Sequence, residues 1–279
     1  MKIPVFFNEQ MVCLDNDSFS PSAGKPAAVV KEWQSLFSEY IEVLDFMPAT
    51  VSELALAHDR RFVESVLQLE IANGFGNKLA SVADTLPYTS GAMLEAAKEA
   101  LANKKVAVAP VSGFHHACYN KPGGFCTFNG LMVAACWLLE NEPTVERVGI
   151  LDLDQHYGNG TDDIIKVLDL GAKVSHMTGG LFNEPAEVFL QHLPERIHDK
   201  FSDCDVLLYQ AGADPHIDDP LGGWMTTEEL TKRDTIVFAA CAAMHLPVAW
   251  DLAGGYQQPL HRVLDIHNNT MAACLSVFA

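Results

Sequence analysis

Basic residues are scarce in this chain: 18 lysines and arginines stand against 36 aspartates and glutamates, for a formal net charge of −18. A protein that binds nucleic acid needs a basic face to neutralise phosphates, so direct nucleic-acid binding is not expected. The same acidity suits a cationic partner, such as an amine or a lysine-bearing peptide, whose encounter rate it raises. No apolar run reaches the roughly 18 residues of a membrane span. The apolar part of Met1–Phe7 is too short for a secretion signal, which makes the cytoplasm the expected compartment. The seven cysteines are scattered, odd in number and without a CxxC pair, so structural zinc and a disulfide framework both fit poorly. Repeats, low-complexity tracts and linker-like stretches are also missing, and residues 1–279 read as one domain.

What is present is an ordinary globular balance, 49% apolar and 19% charged. Short apolar runs at 105–111, 148–152, 205–210 and 247–251 read as buried strands. Helix-like stretches lie between them at Ser90–Ala102, Asn129–Leu139, Glu184–Phe201 and Thr227–Ala243. Strands without polar alternation imply a sheet covered on both faces, hence a mostly parallel one in a layered α/β fold.

Chemistry-bearing residues follow each of the four strands. His115 and His116 come after the first, Asp154 and His156 after the second, Asp214 after the third and Tyr256 after the fourth. In open parallel sheets the ligand crevice lies outside the carboxyl ends of the strands, so four separate segments converge on one rim. Asp154 and His156 stand two apart on an extended segment and can point the same way. With Asp214 they form a three-ligand set that leaves positions for water and substrate. Two oxygens and one nitrogen suit zinc or ferrous iron, and manganese also fits. Asp152 and Asn159 are placed to receive an N–H from one histidine each. A carboxylate raises imidazole basicity more than an amide does, so the histidine facing Asn159 is the better general base near neutral pH. Tyr256 follows Gly254-Gly255, which lets the backbone approach a ligand, and its phenol suits a developing oxyanion. Alone, that tripeptide would be only a turn with a half-buried ring. Phe125, after Gly123-Gly124, and Leu221 are equally readable as entrance walls or as core. The remaining histidines lack such settings and read as structural or surface, with His216, two residues from Asp214, the one to watch.

On Gly113-Phe114-His115-His116-Ala117, Gly124-Phe125-Cys126-Thr127-Phe128-Asn129, Asp152 to Thr161, Gln210 to Asp214 and Leu252 to Tyr256, the sequence resembles the histone deacetylase superfamily. That superfamily includes acetylpolyamine amidohydrolases and acetoin-utilisation proteins. The resemblance implies a three-layer arginase–deacetylase α/β fold and a zinc-dependent deacetylase. It implies metal ligation by Asp154, His156 and Asp214, proton transfer by His115 and His116 with Asp152 and Asn159 behind them, and an oxyanion held by Tyr256. Substrate contacts would come from Gly124, Phe125, Leu221, Gly254 and Gly255. A structural potassium ion is implied near Asp152, Asp154 and His156, together with Ser175.

The chain departs from the family pattern in three places. Ser20 to Pro26 stands where members carry a His-Pro-Glu-x-Pro-x-Arg-like stretch, Tyr157 replaces a common histidine, and the chain is short for the family. Asn77 and Asp84 lie in the region of the aspartate that often grips substrate at the rim. The expected substrate is an acylated amine, either a small molecule or an acyl-lysine peptide. The rival readings are an arginase-like ureohydrolase with two manganese ions and a non-catalytic amine sensor. The single Asp-His-Asp set and Tyr256 argue against the first, and the complete catalytic set argues against the second.

Overall fold

The computed structural model describes residues 2–279, and within them seven strands form one sheet. The strands are β1 (Ile3–Phe6), β2 (Ile41–Leu44), β3 (Val106–Ala109), β4 (Val148–Asp152), β5 (Val174–Thr178), β6 (Val206–Gln210) and β7 (Val248–Asp251). All pairings are parallel, in the order β2-β1-β3-β7-β6-β4-β5. The helices are α1 (Lys25–Leu36), α2 (Val51–Leu54), α3 (Arg60–Leu67), α4 (Ala80–Ala83), α5 (Leu86–Asn103), α6 (Gly130–Asn141), α7 (Asn159–Val167), α8 (Ala186–Phe201), α9 (Thr227–Met244) and α10 (His261–Phe278).

Alternation along the strands divides the interior into two cores. Val106, Val108, Leu207, Tyr209, Val248 and Trp250 pack with Trp33, Phe189, Phe238 and Met271 of α1, α8, α9 and α10. Ala107, Ala109, Val206, Leu208 and Ala249 face the other way, onto Val63, Met93, Ala97, Leu131 and Ile164 of α3, α5, α6 and α7. Both faces are thus covered, and the architecture is a three-layer α/β sandwich. Helix starts follow local chemistry: Asn129 accepts from Met132 N to cap α6, and Thr226 with Glu229 forms a capping box on α9.

The four strands read from sequence are the four central neighbours, β3-β7-β6-β4. Asp152, Gln210, Asp251 and Ala109 end them in register. At about 4.8 Å per strand, the chain segments that leave these four ends span roughly 14 Å, the width of one small-molecule crevice.

Candidate active site

The loops that leave the four central strands bring the expected residues together. Asp154, His156 and Asp214 offer ligand atoms within 4.8 Å of one another. His156 Nδ1 lies 3.0 Å from Asp154 Oδ1 and 2.9 Å from Asp214 Oδ2. The second approach is not a hydrogen bond, so Asp214 Oδ2 is buried without a partner. An orphaned carboxylate oxygen beside a second carboxylate and an imidazole fits a divalent cation. Against the upward push of burial, Asp154 is held far below the usual carboxylate range by the neighbouring imidazoles. Asp214 is pushed up, first by burial and then by the charge of Asp154. The hydrogen bond to Asp154, followed by the close approach of the Asp214 carboxylate, raises His156 to about 10.

Glycine is required where backbone closely approaches the side chains of the site. A Cβ on Gly254 would lie 2.4 Å from Asp214 Cγ, and one on Gly124 would lie 2.3 Å from His116 Cδ2. Gly254 N in turn donates to Asp154 Oδ2 at 3.2 Å. Buried Arg233 of α9 donates to Leu153 O at 3.0 Å and to Gly212 O at 2.7 Å, fixing the loops after β4 and β6 relative to each other.

The histidine pair stands beside this set with ring centroids 4.1 Å apart. His115 Nδ1 donates to Asp152 Oδ2 at 2.7 Å, and His116 Nδ1 donates to Asn159 Oδ1 at 2.6 Å. Each therefore turns Nε2 away from its partner, and that of His115 reaches to 3.6 Å from Asp154 Oδ1. Gln210 locks Asp152 in place, donating from Nε2 to Oδ1 at 2.9 Å. Burial alone would depress the His115 imidazolium, but the charge of Asp152 and its neighbours outweighs it and holds the group up to about 9. His116 is lowered, by burial and then by the charge of His115. The two imidazoles thus differ in the direction that their partners predict.

Tyr256 is held by its backbone, whose N–H donates to Asp219 Oδ2 at 2.7 Å. The other oxygen of Asp219 accepts from Leu221 N at 2.9 Å, which ties the loop after Asp214 to the tyrosine. Burial, followed by the charge of Asp214, pushes the phenol far above its ordinary value, so it stays a neutral donor. Phe125 stacks near it, with centroids 5.8 Å apart.

Ser175 is not brought to the site. It lies in mid-strand opposite Gly149, where its Oγ accepts from Arg147 Nη2 at 3.0 Å. The residue level with Asp152 is Thr178, three positions on, whose Oγ1 accepts from Gly158 N at 3.1 Å. The expectation failed because β5 was not read from the sequence and its register was therefore unknown. Asn77 does not project to the rim either: it donates to Asn16 O at 2.8 Å and accepts from Asn73 Nδ2 at 2.7 Å. Asp84 lies at the end of α4. His216 is engaged with Thr227 Oγ1 at 2.9 Å and with Asp218 N at 3.1 Å, and is not part of the Asp154-His156-Asp214 group.

Two buried groups near the site were missed. Lys25 enters beneath the floor and donates to Ala253 O at 2.5 Å and Gly254 O at 2.7 Å. Burial lowers its pKa to about 8, against the pull of Asp214 and Asp154. His176 of β5 lies between Asp162, at 2.7 Å, and Asp152, at 4.0 Å.

The family model described as the histone deacetylase domain matches residues 24–189. The chain is 28% identical over 264 residues to histone deacetylase 10, chloroplastic, of Oryza sativa subsp. japonica, covering 78% of this chain and 58% of that protein. It is 29% identical over 187 residues to an uncharacterised protein of Picosynechococcus, covering 60% and 61% of the two. The chain therefore spans about three-fifths of the length of these relatives. Its fold matches the crystal structure of the HDA15 HD domain with a TM-score of 0.81, at 20% identity, over 99% of this chain and 88% of that one.

Proposed function

From the premise that this chain belongs to the histone deacetylase family, we propose that it is a metal-dependent amidohydrolase that removes an acetyl or other acyl group from an N-acylated amine. The observation that carries this reading is the meeting of Asp154, His156 and Asp214 with the His115–His116 pair and Tyr256 at one sheet edge. Zinc is the metal proposed, with ferrous iron the next choice for the same donors. A divalent cation on Asp154, His156 and Asp214 supplies Lewis acidity to the acyl carbonyl and acidifies the attacking water. His116, neutral near physiological pH because its pKa is lowered, takes the proton from that water. His115, charged against Asp152, adds positive potential beside the forming intermediate, and the pair delivers a proton to the leaving amine. Tyr256 donates to the oxyanion.

For the implied potassium ion, the carbonyl oxygens of Asp152 and Asp154 converge at the end of β5. A Cβ on Gly179 would lie 3.1 Å from Asp154 O and 3.5 Å from Asp152 O. We place Thr178 there in the role expected of Ser175.

Among the described residues one group alone, Asp154-His156-Asp214, has the make-up of a metal centre, which disfavours a binuclear ureohydrolase. Also among them, no helix is long and apolar enough to cross a membrane. The test is to assay the purified, zinc-loaded chain against a panel of acyl-lysine peptides and acetylpolyamines. Free amine should be released, and Asp214→Ala should abolish both the release and most zinc binding. No turnover of any panel member, or full zinc binding by Asp214→Ala, would overturn the proposal.

A further inference from the structure

Phe19 is a large apolar side chain left 69% exposed, yet it is not loose on the surface. Its ring meets Phe125 edge-on, with centroids 5.4 Å apart at 89°, and lies 6.4 Å from the ring of Tyr256. Phe125 and Tyr256 are themselves 5.8 Å apart, and Phe75 backs Phe125 at 5.8 Å. The rings form one continuous aromatic surface that begins at the oxyanion donor and ends in solvent at Phe19.

The segment that carries Phe19 is braced. Cys13 N donates to Ala23 O at 2.9 Å, closing its base. Inside it, Asn16 Nδ2 donates to Ser20 O at 3.0 Å. From outside, Asn77 Nδ2 donates to Asn16 O at 2.8 Å. The turn that includes Asn77 also holds Phe125, whose N–H donates to Gly74 O at 3.1 Å. The tongue and the entrance wall thus share one frame, and the ring of Phe19 is fixed relative to the site while its outer face stays bare.

We propose that Phe19 is a specificity-determining residue: its bare face, continuous with Phe125 and Tyr256, receives the alkyl stem of the acylated amine and selects acyl groups carried on a methylene chain. The inference rests on the amidohydrolase reading for its substrate but not for its geometry. A flat ring face covers methylenes without needing any polar group on them. Short, polar acylated metabolites reach Tyr256 but not Phe19, and they gain nothing from it.

The test uses the zinc-loaded full chain and a series of N-acetyl-n-alkylamines from ethyl to hexyl. In the wild type kcat/KM should rise about two- to fourfold per methylene along the wall, the range for covering a CH2 partly to fully. Phe19→Ala should flatten that rise and lose about tenfold in kcat/KM on the hexyl substrate. The loss should lie in KM, with kcat held within about twofold, because the interaction is the same in ground and transition states. Phe19→Tyr should restore the wild-type slope. Because the ring is mostly exposed, Phe19→Ala should keep the wild-type melting temperature, so a folding defect will not mimic the result. An unchanged chain-length dependence in Phe19→Ala overturns the proposal, as does an equal loss on every substrate. If the wild type cleaves none of the series, the panel of acyl-lysine peptides and acetylpolyamines decides the amidohydrolase reading and calorimetric binding of the same amides decides the role of Phe19. A chain-length-dependent affinity that Phe19→Ala removes upholds the role; equal affinities or no binding at all overturn it.

Discussion

Gly254→Ala tests the proposed metal site without replacing any of its three side chains. Gly254 does not have a positive φ, so an alanine is free to adopt its backbone conformation. What the methyl meets is the Asp214 carboxylate, at 2.4 Å from Cγ, 2.6 Å from Oδ1 and 2.7 Å from Oδ2. Ordinary van der Waals contact begins near 3.4 Å, so the carboxylate or the loop must yield by about 1 Å. The loop resists, because Lys25 holds Ala253 O and Gly254 O from below and Gly254 N is bound to Asp154. The carboxylate therefore moves, and metal–ligand distances tolerate only about 0.2 Å. Zinc affinity should fall by about 10- to 100-fold, as for loss of supporting contacts to a ligand, and kcat should fall by at least about 10². Chelator competition followed spectroscopically gives the affinity, and steady-state kinetics at saturating zinc give the rate. A Gly254→Ala protein with native zinc affinity and native kcat would mean that Asp214 does not ligate, and the metal assignment would have to be redrawn.

Three further outcomes are expected. His116→Ala should cost about 10²–10⁴ in rate and remove the acidic limb of a bell-shaped pH–rate profile; a near-wild-type rate would take His116 out of the mechanism. Tyr256→Phe should lower kcat by about 10²–10³ while KM and zinc content stay near wild type, and lost zinc would make the tyrosine structural instead. His58 gives a prediction about stability and not about catalysis. It is buried between Cys118 O at 3.0 Å and Asn129 N at 2.8 Å, and burial lowers its pKa to about 4. A neutral folded-state histidine contributes stability that is present above the unfolded value near 6.5 and is lost as pH falls toward 4, about 3 kcal/mol in all. Urea titrations between pH 7 and 4 should show that loss, and it should shrink in His58→Gln.

The central strands were legible because burial on both faces leaves a continuous apolar run. Val148–Asp152 matches its expected bounds, and the other three lie within theirs. The edge half of the sheet was not legible. Ile41–Leu44 is fully buried only at Ile41 and contains the exposed Glu42, while Val174–Thr178 carries a histidine and two hydroxyl residues that break its apolar signal. Ile3–Phe6 is fully buried but sits at the start of the chain, where a short apolar run invites a targeting reading first. Helix α10, which closes one layer through Val263, Ile266 and Met271, carries its apolar residues among His261, His267, Asn268 and Asn269, and so gives a weak periodic signal.

The same contrast holds at the site. Residues that act through local sequence were legible: Asp154 and His156 stand two apart on one short segment, although it bends there and is not extended, and Gly254-Gly255 announces a close approach. Residues that arrive by register or from a distant loop were not. Thr178 lies level with Asp152 only because β4 and β5 pair in one particular offset, and no spacing within either strand encodes that offset. Lys25 reaches the floor across 228 residues, from a stretch whose sequence shows only a departure from the family pattern. Its placement gives that departure a physical meaning. A cation on those carbonyls must be small enough to fit under Gly254 and must lie close to the carboxylates above. Lys25 is fully buried, with Asp214, Asp154, Asp251 and Asp219 as its charged neighbours. Those four acidic groups lower the cost of burying it, and its charge in turn makes it easier to hold Asp154 and Asp214 together before any metal binds. The floor lysine and the carboxylates are therefore one electrostatic unit. Lys25→Met should disturb zinc affinity even though the Lys25 ammonium bonds only to the Ala253 and Gly254 carbonyls, and unchanged zinc affinity in that variant would confine Lys25 to propping the loop.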